Sequence, residues 1–201
     1  MIYDTRIHLA VIPSYLGIEH PGRKVKIPTD LPILFLAGPI RNAPIWHDTS
    51  IRLVLDHNEP IFMACPLRGL AADLMPFIET DKPEYELFPR QRAMEQYYMY
   101  RAAERGCVMF YLAGEAIPKA DPNKVYAHIT MLELGKWIER KKLFPDTRLV
   151  IGAEETFPEL STVEYEINTE LPGLEIHRSL ATTVAAALKV ATSGNGDTAH
   201  G

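Results

Sequence analysis

The chain has 201 residues, 47% of them hydrophobic, and a formal net charge of −5. That is enough for one substantial domain with its own core. The acidic balance gives no reason to expect duplex nucleic acid as a partner, and two cysteines, Cys65 and Cys107, are too few for a disulfide framework.

The first residues, Met1-Ile2-Tyr3-Asp4-Thr5-Arg6, lack the apolar stretch of a signal peptide, and no later run reaches bilayer length. The expectation is a soluble, cytoplasmic protein with no membrane partner. Residues 5–12 and 23–28 are β-like and are separated by a stretch containing Gly17, Pro21 and Gly22, which predicts a β arm or hairpin within 1–30. Beyond it, strand and helix alternate. Residues 33–37 are a continuous apolar run, as in a strand covered on both faces. Residues 45–58 have helical spacing, with Ile45, Ile51, Val54 and Leu55 as the inner stripe, and 61–64 form a second strand.

Residues 66–89 carry four prolines (Pro66, Pro76, Pro83 and Pro89) and read as a long lid, binding loop or insertion. A helix follows over 90–105, stopped by Gly106. Residues 107–112 are a third strand, and 113–124 a turn-rich loop. A helix over 129–142 carries Glu133. Strands at 148–151 and 174–177 and helices at 162–169 and 180–191 complete the pattern. Residues 192–201 are polar and are expected to be disordered. Such alternation implies a parallel sheet with helices on both faces. The simplest arrangement is a flavodoxin-like three-layer sandwich: an α/β fold with a five-stranded parallel sheet and an N-terminal β extension, forming one domain over 1–191. Cys65 and Cys107 lie in or beside apolar strands and read as buried free thiols.

Common ligand motifs are missing. There is no G-x-G-x-x-G after the first apolar strand, no phosphate-loop lysine, no C-x-x-C, no H-E-x-x-H and no G-x-S-x-G. The seven histidines have no ligand spacing, so no metal and no cofactor is expected. Two short segments stand out instead. Leu34-Phe35-Leu36-Ala37-Gly38-Pro39-Ile40 reads as a buried strand entering a tight loop, which either simply ends the strand or lets a ligand lie against its backbone. Thr130-Met131-Leu132-Glu133-Leu134-Gly135 puts a carboxylate in the first turn of a helix. Thr130-x-x-Glu133 has capping-box spacing, and the helix dipole that would favour a capping carboxylate would equally favour a nucleophile. Gly135 inside the helix suggests close approach of another group. Trp46 reads equally as a core indole or as a pocket wall.

These segments in this order, Leu34 to Ile40 with Trp46, then Gln91-x-x-x-Glu95 on a helix, then a strand, then Thr130 to Gly135, resemble the nucleoside 2-deoxyribosyltransferase-like family over residues 33–152. The resemblance implies a flavodoxin-like fold and chemistry at the N-glycosidic bond of a deoxynucleoside. The glutamate of the Glu-Leu-Gly motif, here Glu133, is the implied nucleophile. The family's aspartate six residues before the nucleophile is replaced by Ala127, and its Ala-Asp at the start of the third strand by Gly106-Cys107.

The implied site has Glu133 as nucleophile. Gly38, Pro39 and Ile40 form its floor and Trp46 its wall. Gln91 and Glu95 orient base or sugar, and His128 and Thr130 stand at the start of the catalytic helix. Glu95, His128 and Asp121 are the candidates for protonating the departing base. The expected partner is a small nucleoside or nucleotide. Two other readings of the same residues are a non-catalytic nucleotide-binding module and a glycohydrolase of NAD-type nucleotides. A homo-oligomer is expected, with Tyr97, Tyr98 and Tyr100 either at an interface or in ordinary helix packing.

Overall fold

The computed structural model describes residues 7–11, 31–57, 60–66, 84–116 and 125–193; the side chains of 7–11, 84–91 and 94 are outside that description. Among the described residues the elements are β1 (Ile7–Val11), β2 (Ile33–Ala37), α1 (Trp46–His57), β3 (Ile61–Cys65), α2 (Glu84–Arg105), β4 (Gly106–Leu112), α3 (His128–Leu143), β5 (Leu149–Ala153), α4 (Leu160–Glu170), β6 (Ile176–His177) and α5 (Leu180–Thr192).

The strands form one sheet in the order β1-β3-β2-β4-β5-β6, with every pairing parallel. From β3 to β6 this is the flavodoxin strand order. β1, from the expected N-terminal β arm or hairpin, is a sixth, edge strand of the sheet, with Ile7 opposite Ile61 and Val11 opposite Cys65. Residues 12–30, including the second β-like stretch, lie outside the described residues, as does the tail from 194.

β2, β3, β4 and β5 are buried along their whole length, as their unbroken apolar sequences require. Alternate side chains feed two cores. Ile33, Phe35, Val108, Phe110 and Ile151 pack under α2, α3 and α4. Leu34, Leu36, Met63, Met109 and Val150 pack under α1 and α5. Each fully buried Leu, Ile or Phe contributes roughly 1.5–3 kcal/mol, so these central strands anchor the fold.

Two expectations need correction. The inner stripe of α1 is Trp46, His47, Ser50, Ile51 and Val54. Ile45 precedes the helix and is 68% exposed, and Leu55, one position past Val54, has turned outward. α2 begins at Glu84, not Arg90, and runs through Pro89; the helix-forming residues before that proline outweigh its missing N–H. Of the three tyrosines on α2, Tyr98 is in the core, stacked on Phe62 with centroids 5.9 Å apart. Only Tyr97 and Tyr100 face outward.

No described helix is long and apolar enough to cross a membrane. Both cysteines are buried, and no disulfide joins them. Cys107 has no exposed surface, and burial pushes its thiol far above the ordinary range, which suits a packing residue and not a nucleophile.

Candidate active site

In a sheet of this order, ligands bind beyond the carboxyl ends of the strands, where the order reverses between β2 and β4. Two loops meet there. The loop after β2 passes close under Trp46. A Cβ on Gly38 would lie 2.4 Å from the Tyr111 carbonyl oxygen and 2.6 Å from the indole, so only glycine fits. Trp46 Nε1 donates to the Pro39 carbonyl at 2.9 Å, and the ring stacks on His47 and tilts against Tyr111. Trp46 is therefore a core indole that braces the loop, not an open wall. Ile40 is 44% exposed at the loop's outer end. Asn42, in the left-handed region at φ 61, accepts from the amide of Ala116 and so ties this loop to the one after β4.

The loop after β4 is held from β5. Glu154 accepts from the Gly114 amide at 2.7 Å and from the Tyr111 hydroxyl at 3.0 Å. Tyr126 donates to the Ala113 and Gly114 carbonyls at 2.8 and 3.1 Å. Burial, with Glu154 beside it, raises the Tyr111 phenol well above its usual range, so the phenol stays protonated and donates. Glu115, in the same loop, has a buried Oε1 with no partner among the described residues. None of Tyr111, Tyr126, Glu115 and Glu154 was singled out from the sequence, although acidic residues just past β4 and β5 sit where such folds place ligand groups. Residues 67–83 and 117–124, and with them Asp121, lie outside the described residues.

Glu133 occupies the second turn of α3. The helix starts at His128 after Ala127, which sits in the left-handed region at φ 54 and provides no side-chain cap. The capping box is therefore not formed. Thr130 is the third helical residue and is buried, because the helix begins earlier than the Thr-x-x-Glu spacing predicts. His128 is exposed, with Nδ1 3.1 Å from the Val125 carbonyl oxygen, and serves the helix start alone. Gly135 is also corrected: an added Cβ would meet nothing within 4 Å.

The carboxylate of Glu133 is 16% exposed and takes a 2.5 Å hydrogen bond from Arg92 Nη1. The same nitrogen donates to Glu95 Oε2 at 2.7 Å. The two residues assigned catalytic roles from the sequence thus converge on one guanidinium between α2 and α3. Burial raises the Glu133 carboxyl above its ordinary value and the nearby Glu95 charge adds to this, while Arg92 and Lys136 oppose it. Gln91 lies on the same helix as Arg92, its side chain outside the described ones.

The structure does not gather the whole predicted set. Gly38, Pro39 and Trp46 belong to the α1 side of the sheet, whereas Glu95, Arg92 and Glu133 stand with α2 and α3 on the other side. The glycine at the start of β4 has a local reason. A Cβ at Gly106 would fall 1.8 Å from the Ile33 carbonyl oxygen, so alanine cannot stand there. His47 is 1% exposed, with an unpartnered Nε2, and burial lowers its pKa to about 3, which keeps it neutral. Among the described residues no three His, Cys, Asp or Glu side chains come together as metal ligands do. No protein-family model and no curated protein matches the sequence.

Proposed function

We propose that the protein cleaves, or transfers at, the N-glycosidic bond of a deoxynucleoside or nucleotide through the Glu133 carboxylate. The observation that carries this reading is the convergence of Glu133 and Glu95 on Arg92. Two oxygens bound to the same Arg92 nitrogen, at 2.5 and 2.7 Å, face one small region, so a single sugar can meet both carboxylates. One guanidinium against two carboxylates also leaves a net charge of −1, which attracts the positive charge that develops on a sugar as its base departs.

The reaction then runs in two steps. Glu133 attacks the anomeric carbon as the bond to the base breaks; the bonding electrons leave with the base, which takes its proton from water, while ionised Glu95 adds to the negative charge facing the sugar. The resulting sugar ester is released by a second base, giving transfer, or by water, giving hydrolysis. Arg92, partly exposed, keeps the two carboxylates together before substrate arrives and gives up Glu133 to the sugar.

The test is incubation of wild type and Glu133→Ala with a panel of deoxynucleosides, their monophosphates and NAD, following free base. Wild type is expected to release base from at least one, and Glu133→Ala to lose at least a hundredfold of that rate, the size of effect seen when one positioned transition-state group is removed. Equal release by both proteins removes Glu133 from the mechanism. The Arg92 ion pair favours one second reading, a binding module in which Glu133 is purely a strut. Tight nucleotide binding by wild type, with no base released from any substrate, decides for it.

A further inference from the structure

The outer face of α3 has no partner among the described residues, although it is apolar at both ends. Leu132 is 59% exposed and Leu143 63% exposed, and Lys136 and Glu139 lie exposed between them. The spacing from 132 to 136, 139 and 143 is that of coiled-coil a and d positions. Leu132, Gly135, Lys136 and Glu139, with Met131, also outline a shallow, open depression. Four residues at these positions are what forms the hole for a knob from a facing helix. Gly135, with nothing within 4 Å of its missing Cβ, leaves that hole open.

The charges select the occupant. Lys136 and Glu139 sit three residues apart at the middle of the stripe. An antiparallel second α3, related by a two-fold axis between these positions, sets Lys136 against Glu139 of the second copy, and the reverse. The same register sets Leu132 against Leu143 of the second copy, again twice. Every layer of the stripe is then complementary to itself, which is the condition for an isologous interface. A parallel arrangement would oppose Lys136 to itself and Glu139 to itself.

We infer that the protein self-associates as an antiparallel two-fold dimer through the Leu132–Lys136–Glu139–Leu143 stripe of α3. The inference does not rest on what the site cleaves. One helix of this length makes a small contact, so the dimer belongs to the weak, transient class, with a dissociation constant of roughly 1–100 μM.

The experiment is sedimentation velocity of the full chain across a concentration series, for wild type, Lys136→Glu, Glu139→Lys and the double variant. Both substitution sites are exposed, and thermal melting checks that folding is unchanged. Wild type is expected to dimerise. Each single variant, which places like charges opposite one another twice, is expected to weaken association at least tenfold. The double variant, and an equimolar mixture of the two single variants, are expected to regain it. A wild type that is monomeric at about 100 μM, a dimer that neither single variant weakens, or a mixture that fails to reassociate would each overturn the interface.

Discussion

At the scale of the residue, the charge of Glu133 is set by what surrounds it. It stands in the second turn of α3, beyond the reach of the helix N-terminal dipole. Burial and Glu95 raise its pKa, and Arg92 holds it down. A carboxyl raised in the folded protein adds stability below the ordinary glutamate range and loses it as pH rises through the raised value. The ionised form needed for attack is therefore the strained one, so activity should rise with pH along a limb lying above the usual carboxylate value. Arg92→Met, which removes the opposing charge, should move that limb higher still in a profile of kcat/KM; a shift to lower pH contradicts the role given to Arg92. Glu133 and Glu95 were legible in the sequence as motif residues. Arg92 was not, because three residues before Glu95 it reads as an exposed helix-face pair, and only the packing of α2 beside α3 brings Glu133 to it.

At the scale of the element, periodicity located what it could. The apolar runs of β2, β3 and β4 and the helical spacing of α3 and α5 stand within a residue of where the sequence puts them. The failures have local causes. The Thr130 capping box was misread because Ala127, in a left-handed conformation that its sequence does not advertise, starts the helix early. Strand propensity marks β1 as β-like but carries no information about partner or direction, so its parallel pairing with β3 is visible only in the sheet. Glycines show the same division. A helix-interior glycine and a strand-end glycine look alike in sequence, yet Gly135 faces open space and Gly106 lies against the Ile33 backbone. Gly135→Ala should stabilise the protein by about 1 kcal/mol. Gly106→Ala should destabilise it by about 3 kcal/mol or more, since the neighbouring strand must move. Urea titration measures both, and similar midpoints for the two variants would contradict the close approach of β2 to β4.

At the scale of the whole molecule, alternating strands and helices made the parallel sheet and its two covered faces legible, and the continuous burial of the central strands follows from their composition. The division of the site was not legible. Motifs on β2 and α3 look like one pocket when written in a line, but the sheet puts the Gly38 loop and Trp46 on one face and the Glu133 carboxylate on the other. They can act together only over the carboxyl edge, where the loops after β2 and β4 are joined through Asn42 and Ala116. A substrate spanning that edge would rest its sugar against Glu133.

The most direct test is to look for the bond itself. Acid-quenching the protein during turnover of a deoxynucleoside substrate, then digesting it and mapping the peptides by mass spectrometry, should show a sugar ester on Glu133, absent from Glu133→Ala. Base release with no sugar on the protein, or with the sugar on a different residue, would contradict a nucleophilic Glu133.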